Sequence, residues 1–283
     1  MRLGATIYKY GQFEDPETYV AECQRCGYRA AVCPKDFVDD IEKRRAMKRG
    51  FQKVDIVIAE VGAWVNALDP RPEERARNLN TIAGSLAIAD ELEARCCVTV
   101  AGSLAGENGI GIELHQDNFS PGTFDAVVQW VRKILGEVKP THTKLALEMS
   151  PWTLLDGPEI YRKLIDAVDH PALAVHLDPV NAVNSPHLYY SSTELLNRCF
   201  DLLGDLIVSC HAKDILQAPD PQSVLLMQVG PGKGVFDLRT FLKLIDQVSR
   251  DMPLVIEHLD TAEEYRDASN YILKIAREVN VEA

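Results

Sequence analysis

Four short apolar runs in the carboxyl-terminal half of the sequence each end on a side chain that can hold a metal ion. They are Lys144-Leu-Ala-Leu-Glu148, Leu173-Ala-Val-His-Leu-Asp178, Leu206-Ile-Val-Ser-Cys-His211 and Leu254-Val-Ile-Glu257. Each is rich in Val, Ile, Leu and Ala, the pattern of a strand buried on both faces of a parallel sheet. Each is followed by a break and then by a helical pattern. If these strands close into one barrel, Glu148, Asp178, His211 and Glu257 land on one rim and point at one place. Singly, each is better read as an exposed loop charge or half of a surface salt bridge. Jointly, at one depth on four consecutive strands, they read as a shared site, because burying a carboxylate without a partner is costly. Three carboxylates and an imidazole suit a hard divalent cation better than a thiol-rich zinc site does. One such ion is expected, Mn2+ ahead of Mg2+, Co2+ or Zn2+.

The chemistry of such a site is proton transfer next to a carbonyl. A divalent ion chelating a ketone oxygen and a neighbouring hydroxyl acidifies the C–H between them and stabilises the enediolate. One carboxylate removes the proton and a second returns one from the other face. Glu148 and Glu257 are the candidates for this acid/base pair, with the direction left open. If only one of them acts, the outcome is isomerisation or elimination rather than epimerisation.

The elements that must position these residues alternate from end to end. Strands are expected at 3–8, 29–33, 54–59 and 96–101 before the four already named. Helices are expected at 15–26, 37–49, 73–94, 121–136, 158–168, 193–203, 236–249 and 262–279. Eight βα units with no linker and no shift in composition predict a single (β/α)8 TIM-barrel domain over residues 1–283. A doubly wound open sheet is the alternative, but its glycine-rich dinucleotide turn is missing: the first strand runs into Lys9-Tyr10-Gly11-Gln12.

The 42 acidic residues against 30 basic give a net charge of −12, which repels nucleic-acid phosphates and anionic membranes. No apolar stretch approaches the ~20 residues that span a bilayer, and the amino terminus does not read as a signal peptide. A cytoplasmic protein is expected. Of the seven cysteines, Cys23-x-x-Cys26 stands without a second pair and is weak evidence for zinc or redox work. Cys96, Cys97, Cys199 and Cys210 read as small core residues.

The segments Ala146-Leu-Glu148, His176-Leu-Asp178-Pro-Val-Asn181, His211-Ala-Lys213-Asp214 and Val255-Ile-Glu257 resemble the sugar phosphate isomerase/epimerase superfamily. This is the xylose isomerase-like TIM barrel group, which includes ketose 3-epimerases, hydroxypyruvate isomerase and inosose dehydratase. The resemblance spans the chain as architecture and its carboxyl-terminal half as motif. It implies a Glu–Asp–His–Glu metal site in which Glu148 and Glu257 double as acid and base. His211-x-Lys213-Asp214 is similar to the family's H-x-K-D segment, and Gly230-Pro-Gly232-Lys233-Gly234 to its G-x-G entry into the seventh helix. Two positions depart from the ketose 3-epimerases. Asn181 stands where they carry a substrate-contacting His, and Gln217 where they carry an Arg. Asn181 can still bond a hydroxyl, so inosose-like, keto-acid or modified-sugar substrates stay open. The endonuclease IV branch of the superfamily needs a histidine-rich trinuclear zinc site, which Asn181, Cys33-Pro34 and Glu60-Val61 do not supply.

Other residues bear on substrate. His176 shares parity with Asp178 and should point inward one layer down, as a support behind the ligands, a substrate contact or a core histidine. Lys213 shares parity with His211 and either reaches substrate or pairs with a ligating carboxylate. Glu60 and Trp64, at the end of the third strand, are candidates to wall the pocket. His115 sits in a glycine-rich loop that could act as a lid, and His258 should face a helix. Gly230, Gly232 and Gly234 raise a phosphate site with Lys233 the only nearby cation. The expected activity is isomerisation or epimerisation of a small-molecule carbohydrate or related polyhydroxy carbonyl compound. A lyase or dehydratase is the alternative, and a non-enzymatic carbohydrate-binding barrel the rival from another class. Pairing into a homo-oligomer through the outer helices is compatible with this architecture.

Overall fold

The computed structural model describes residues 1–7, 13–106, 109–220 and 222–283. Eight parallel strands close into a barrel. They are β1 (Arg2–Ala5), β2 (Ala30–Val32), β3 (Val57–Gly62), β4 (Cys96–Val100), β5 (Lys144–Glu148), β6 (Leu173–Leu177), β7 (Ile207–Ala212) and, after an excursion, β10 (Pro253–Ile256). Closure comes from β1 pairing β10, with Leu3 opposite Leu254 and Ala5 opposite Ile256. The excursion is an antiparallel hairpin, β8 (Asp214–Gln217) and β9 (Leu226–Val229), lying outside the barrel.

The outer layer contains α1 (Pro16–Arg25), α2 (Lys35–Val38), α3 (Ile41–Lys53), α4 (Pro72–Leu92), α5 (Pro121–Val138), α6 (Pro158–Val168), α7 (Pro186–Tyr190), α8 (Ser192–Leu203), α9 (Leu238–Val248) and α10 (Ala262–Glu278). Their starts are written locally. Asp15 and Ser120 accept from Thr18 and Thr123 amides ahead of Pro16 and Pro121, and Thr261 with Glu264 closes a capping box. Strand faces turned outward pack on the helices, while the smaller Cys96, Val98 and Ala146 fill the barrel interior. Tyr161 on α6 sends its hydroxyl inward to the Leu147 and Ala174 carbonyls, fixing the two strands that carry Glu148 and His176. No helix among the described residues is long and apolar enough to cross a membrane.

The departures from expectation have local causes. The third strand begins at Val57 rather than Val54, because Val54 caps α3 and Asp55 turns with φ +54°. Glu60 therefore lies inside the strand, not at its end. The helix expected over 37–49 is two, since Asp40 accepts the Glu42 and Lys43 amides and restarts the chain as α3. The hairpin was not expected; its strands are four residues each and lie among prolines and polar residues that read as loop. The end of the first strand at Tyr8 and the turn over residues 9–12 lie outside the described residues.

Candidate metal centre

The carboxyl ends of four adjacent strands supply the cluster. Glu148 is the last residue of β5, Asp178 follows β6, His211 lies near the end of β7 and Glu257 follows β10. One ligand atom from each lies within 4.8 Å of every other. His211 Nδ1 lies 3.0 Å from Glu257 Oε1, 3.4 Å from Glu148 Oε1 and 3.7 Å from Asp178 Oδ2. Ligands about 2.1 Å from a shared divalent ion lie roughly 3–4.2 Å from one another, so the spacing fits. The chemistry of the donors fits as well. Asp178 Oδ2, His211 Nδ1 and Glu257 Oε1 are buried without a well-aligned hydrogen bond, a condition that coordination would relieve.

Lys213 brings an ammonium into this cluster. Its Nζ lies 2.5 Å from both Asp178 Oδ2 and Glu257 Oε1, and 3.9 Å from Glu148 Oε1. The ammonium thus shares the oxygens a divalent cation would use. Burial pushes Glu148 up to about 7. Burial acts on Asp178 in the same sense, but Lys213 and His211 outweigh it and hold the group at about 2. Glu257 is likewise held well below the usual carboxylate range by His211 and Lys213 against its burial. His211 is buried too, yet Glu257, Glu60 and Glu148 raise it well above an ordinary imidazole.

A second group lies beneath. Glu60 Oε1 is 3.3 Å from His211 Nε2, and Glu60 Oε2 is 3.5 Å from His176 Nδ1. The two imidazoles meet edge to face with centroids 4.1 Å apart. Burial and the neighbouring His211 lower His176 to about 4. Glu60 therefore takes the proton-bearing Nε2 of His211 and leaves Nδ1 to face the cluster.

Above the cluster opens a cavity of about 520 Å3 lined by Glu60, Trp64, Glu148, Asn181, Lys213 and Glu257 among others. Asn181 Nδ2 donates to Glu148 Oε1 at 2.9 Å, and Gln228 Nε2 donates to Asn181 Oδ1 at 2.6 Å. Gln228 Oε1 meets His258 Nδ1 at 3.1 Å. This chain of side chains runs from the cluster to the rim. Two residues expected at substrate stand elsewhere. His176 is fully buried against His211 and does not line the cavity. His115 does not line the cavity; its Nδ1 accepts the Asp117 amide and caps a short 3-10 turn.

The structure also adds residues. Gln228 arrives on the unexpected hairpin, and no sequence signal marked it. His258, expected against a helix, is turned to the cavity by φ +60° and lies 3.5 Å from Glu257 Oε1. Gln217, which departs from the Arg expected of a ketose 3-epimerase, donates to the Ala218 and Ser223 carbonyls and steadies the hairpin instead. The glycine turn after β9 holds an anion of the chain's own. Asp214 accepts the amides of Ile215, Gly232 and Phe236, so a carboxylate fills the place where phosphate was considered. All seven cysteines are free, and burial raises the Cys23 thiol.

A model of the xylose isomerase-like TIM barrel family matches residues 20–275. No curated protein matches the chain by sequence. Solved structures match across the whole chain at low identity. The probable 3-DHS dehydratase AsbF of Bacillus anthracis has TM-score 0.72 at 15% identity, covering 98% of this chain and 99% of its own. D-psicose 3-epimerase of Clostridium cellulolyticum H10, solved with D-tagatose, has TM-score 0.71 at 14% identity and covers 100% of both chains. The IOLI protein, solved with a bound zinc atom, has TM-score 0.68 at 15% identity, again covering 100% of both chains.

Proposed function

This chain belongs to the xylose isomerase-like TIM barrel family, and on that footing we propose that it is a divalent-metal-dependent isomerase or epimerase of a small polyhydroxy carbonyl compound. The observation that carries this reading is the convergence of Glu148, Asp178, His211 Nδ1 and Glu257 within 4.8 Å. These four residues would hold the ion, with Mn2+ favoured by ligand hardness. The bound ion would polarise a substrate carbonyl and acidify the adjacent C–H.

The chain's own residues do the rest. Glu257, held ionised, accepts the substrate proton. Glu148, pushed up to about 7, carries a proton near neutrality and donates it. Environments that separate two carboxyl groups in this way assign base and acid. Asn181 orients Glu148 through its 2.9 Å hydrogen bond and presents its amide to a substrate hydroxyl. Trp64 lines the cavity over the reacting groups.

The same inequality between the two glutamates supports a second reading, a dehydratase. There Glu148 protonates a departing hydroxyl instead of carbon. The product distinguishes them, since substrate mass is conserved in the first case and lost as water in the second.

Elemental mass spectrometry on chelator-free protein tests the shared premise. About one divalent ion per chain, lost in Asp178→Ala, is expected. Metal-free protein from manganese-replete cells would overturn the reading.

A further inference from the structure

The cavity above the cluster has two unlike sides. One is polar and belongs to the Asn181–Gln228–His258 chain. The other is apolar: Trp64, Ile110, Ile112, Met149, Pro151 and Trp152. Ile110, Ile112 and Trp152 are 41%, 39% and 56% exposed, and all three face this one mouth. A monomer exposes grouped large apolar side chains chiefly where something else covers them.

This wall is built rather than incidental. Asn118, fully buried, donates to the Trp152 carbonyl at 2.8 Å and to the Glu113 carbonyl at 3.0 Å. It thereby ties the loop carrying Ile110 and Ile112 to the loop carrying Trp152. Gly111, with φ +98°, holds a backbone conformation that other residues rarely adopt, and a Cβ there would press on Asn66 and Gly102. The apolar residues are held in place before any ligand arrives.

Charge narrows the occupant. Among the described lining residues Lys213 is the only Lys or Arg, and its ammonium is committed to Asp178 and Glu257. The carboxylates of Glu60, Asp178 and Glu257 already match Lys213 plus a divalent ion, so the described lining leaves no surplus cation to pair with a phosphate or carboxylate on the substrate. A bare hexose would leave much of about 520 Å3 to water, a volume in the range that encloses drug-sized ligands.

We propose that the substrate is an uncharged polyhydroxy carbonyl compound bearing a ring-sized apolar substituent, with the polyol at the cluster and the substituent against the Trp64–Ile112–Trp152 wall. This rests on the reading of the cluster as a metal centre and specifies what that centre acts on.

The test is calorimetric titration of the metal-loaded protein with methyl β-D-glucopyranoside, phenyl β-D-glucopyranoside and glucose 6-phosphate. The phenyl glycoside should bind about tenfold more tightly than the methyl, as expected for one partly buried ring. Trp152→Ala and Ile112→Ser, checked for unchanged melting, should each remove most of that advantage. Glucose 6-phosphate should bind no better than the methyl glycoside. Equal affinity for the two glycosides, an advantage that survives both substitutions, preference for the phosphate, or no phenyl glycoside binding at millimolar concentration would each overturn the proposal. Metal content measured on the same samples separates the two failures. Protein without metal sinks the functional reading, whereas loaded protein that ignores the phenyl group sinks this proposal alone.

Discussion

Replacing Glu60 by Gln asks whether the ligand histidine is held from behind. Glu60 is 3% exposed, and its Oε1 lies 3.3 Å from His211 Nε2. An ionised acceptor there keeps the ring hydrogen on Nε2 and the Nδ1 lone pair toward the other three ligands. Glutamine has the same shape, so no cavity opens, but its amide can present N–H to the ring and favour the opposite tautomer. A hydrogen bond to a charged group contributes about 1.5–3 kcal/mol. The 3.3 Å separation exceeds the roughly 2.7–2.9 Å of a strong charge-assisted bond, which points to the lower end. About 1.5 kcal/mol corresponds to roughly tenfold weaker metal binding, within the range known for partners of metal-binding histidines. The assay is competition for Mn2+ or Zn2+ against a fluorescent chelator, beside thermal unfolding of both metal-free proteins. Affinity within about twofold of wild type, with melting unchanged, would refute the claim that Glu60 positions His211.

Stability of the chelator-stripped protein should carry the mark of Glu148. Because its carboxyl is pushed up to about 7, the folded state keeps a proton that the unfolded chain releases near its ordinary value. That contribution is full at acid pH below the ordinary value and is lost as pH rises through about 7, up to about 3 kcal/mol. Urea unfolding across this window should show the fall in wild type and not in Glu148→Gln; parallel slopes would contradict it. Metal loading near pH 6 should expel at least one proton, since His211 holds one there that coordination displaces. Calorimetry in buffers of different ionisation enthalpy reads this directly, and zero release would be the contrary result. Asp214→Ala removes the acceptor of three amides, about 3 kcal/mol locally, and should speed tryptic cleavage after Lys233. Unchanged cleavage would show that the glycine turn is held by something else.

The cluster was legible in the sequence because parallel strands put consecutive run-ends on one rim. Apolar runs ending in Glu148, Asp178, His211 and Glu257 carry their own register, and pairing of Glu148 with His176 and of Val255 with His211 shows it. Glu60 was legible only as a pocket wall. Its place behind His211 depends on a strand start moved by the αL turn at Asp55, which no periodicity encodes. Gln228 was invisible for a different reason. It is held by an edge hairpin whose outward Leu216 and Met227 are half-exposed, so the alternation that marks a buried strand is absent. Strand parity does not carry to His258, which lies past the end of β10 where φ turns positive.

The arrangement of charge argues that this cluster is kept for chemistry rather than stability. Glu60, Glu148, Asp178 and Glu257 are each 7% exposed or less, and Lys213 is 2% exposed. Replacing a buried ionic cluster with apolar side chains of similar volume is often neutral or stabilising. Here one ammonium serves two carboxylates at 2.5 Å, and Glu148 answers the shortage by holding a proton well above its ordinary range. Those two oxygens, Asp178 Oδ2 and Glu257 Oε1, with His211 Nδ1, still lack a well-aligned hydrogen bond. A fold selected for stability alone would fill these positions with the Val, Ile and Leu found one layer out on the same strands. A cluster this short of positive charge is one that a divalent cation would complete, supplying the missing charge and the missing coordination at once.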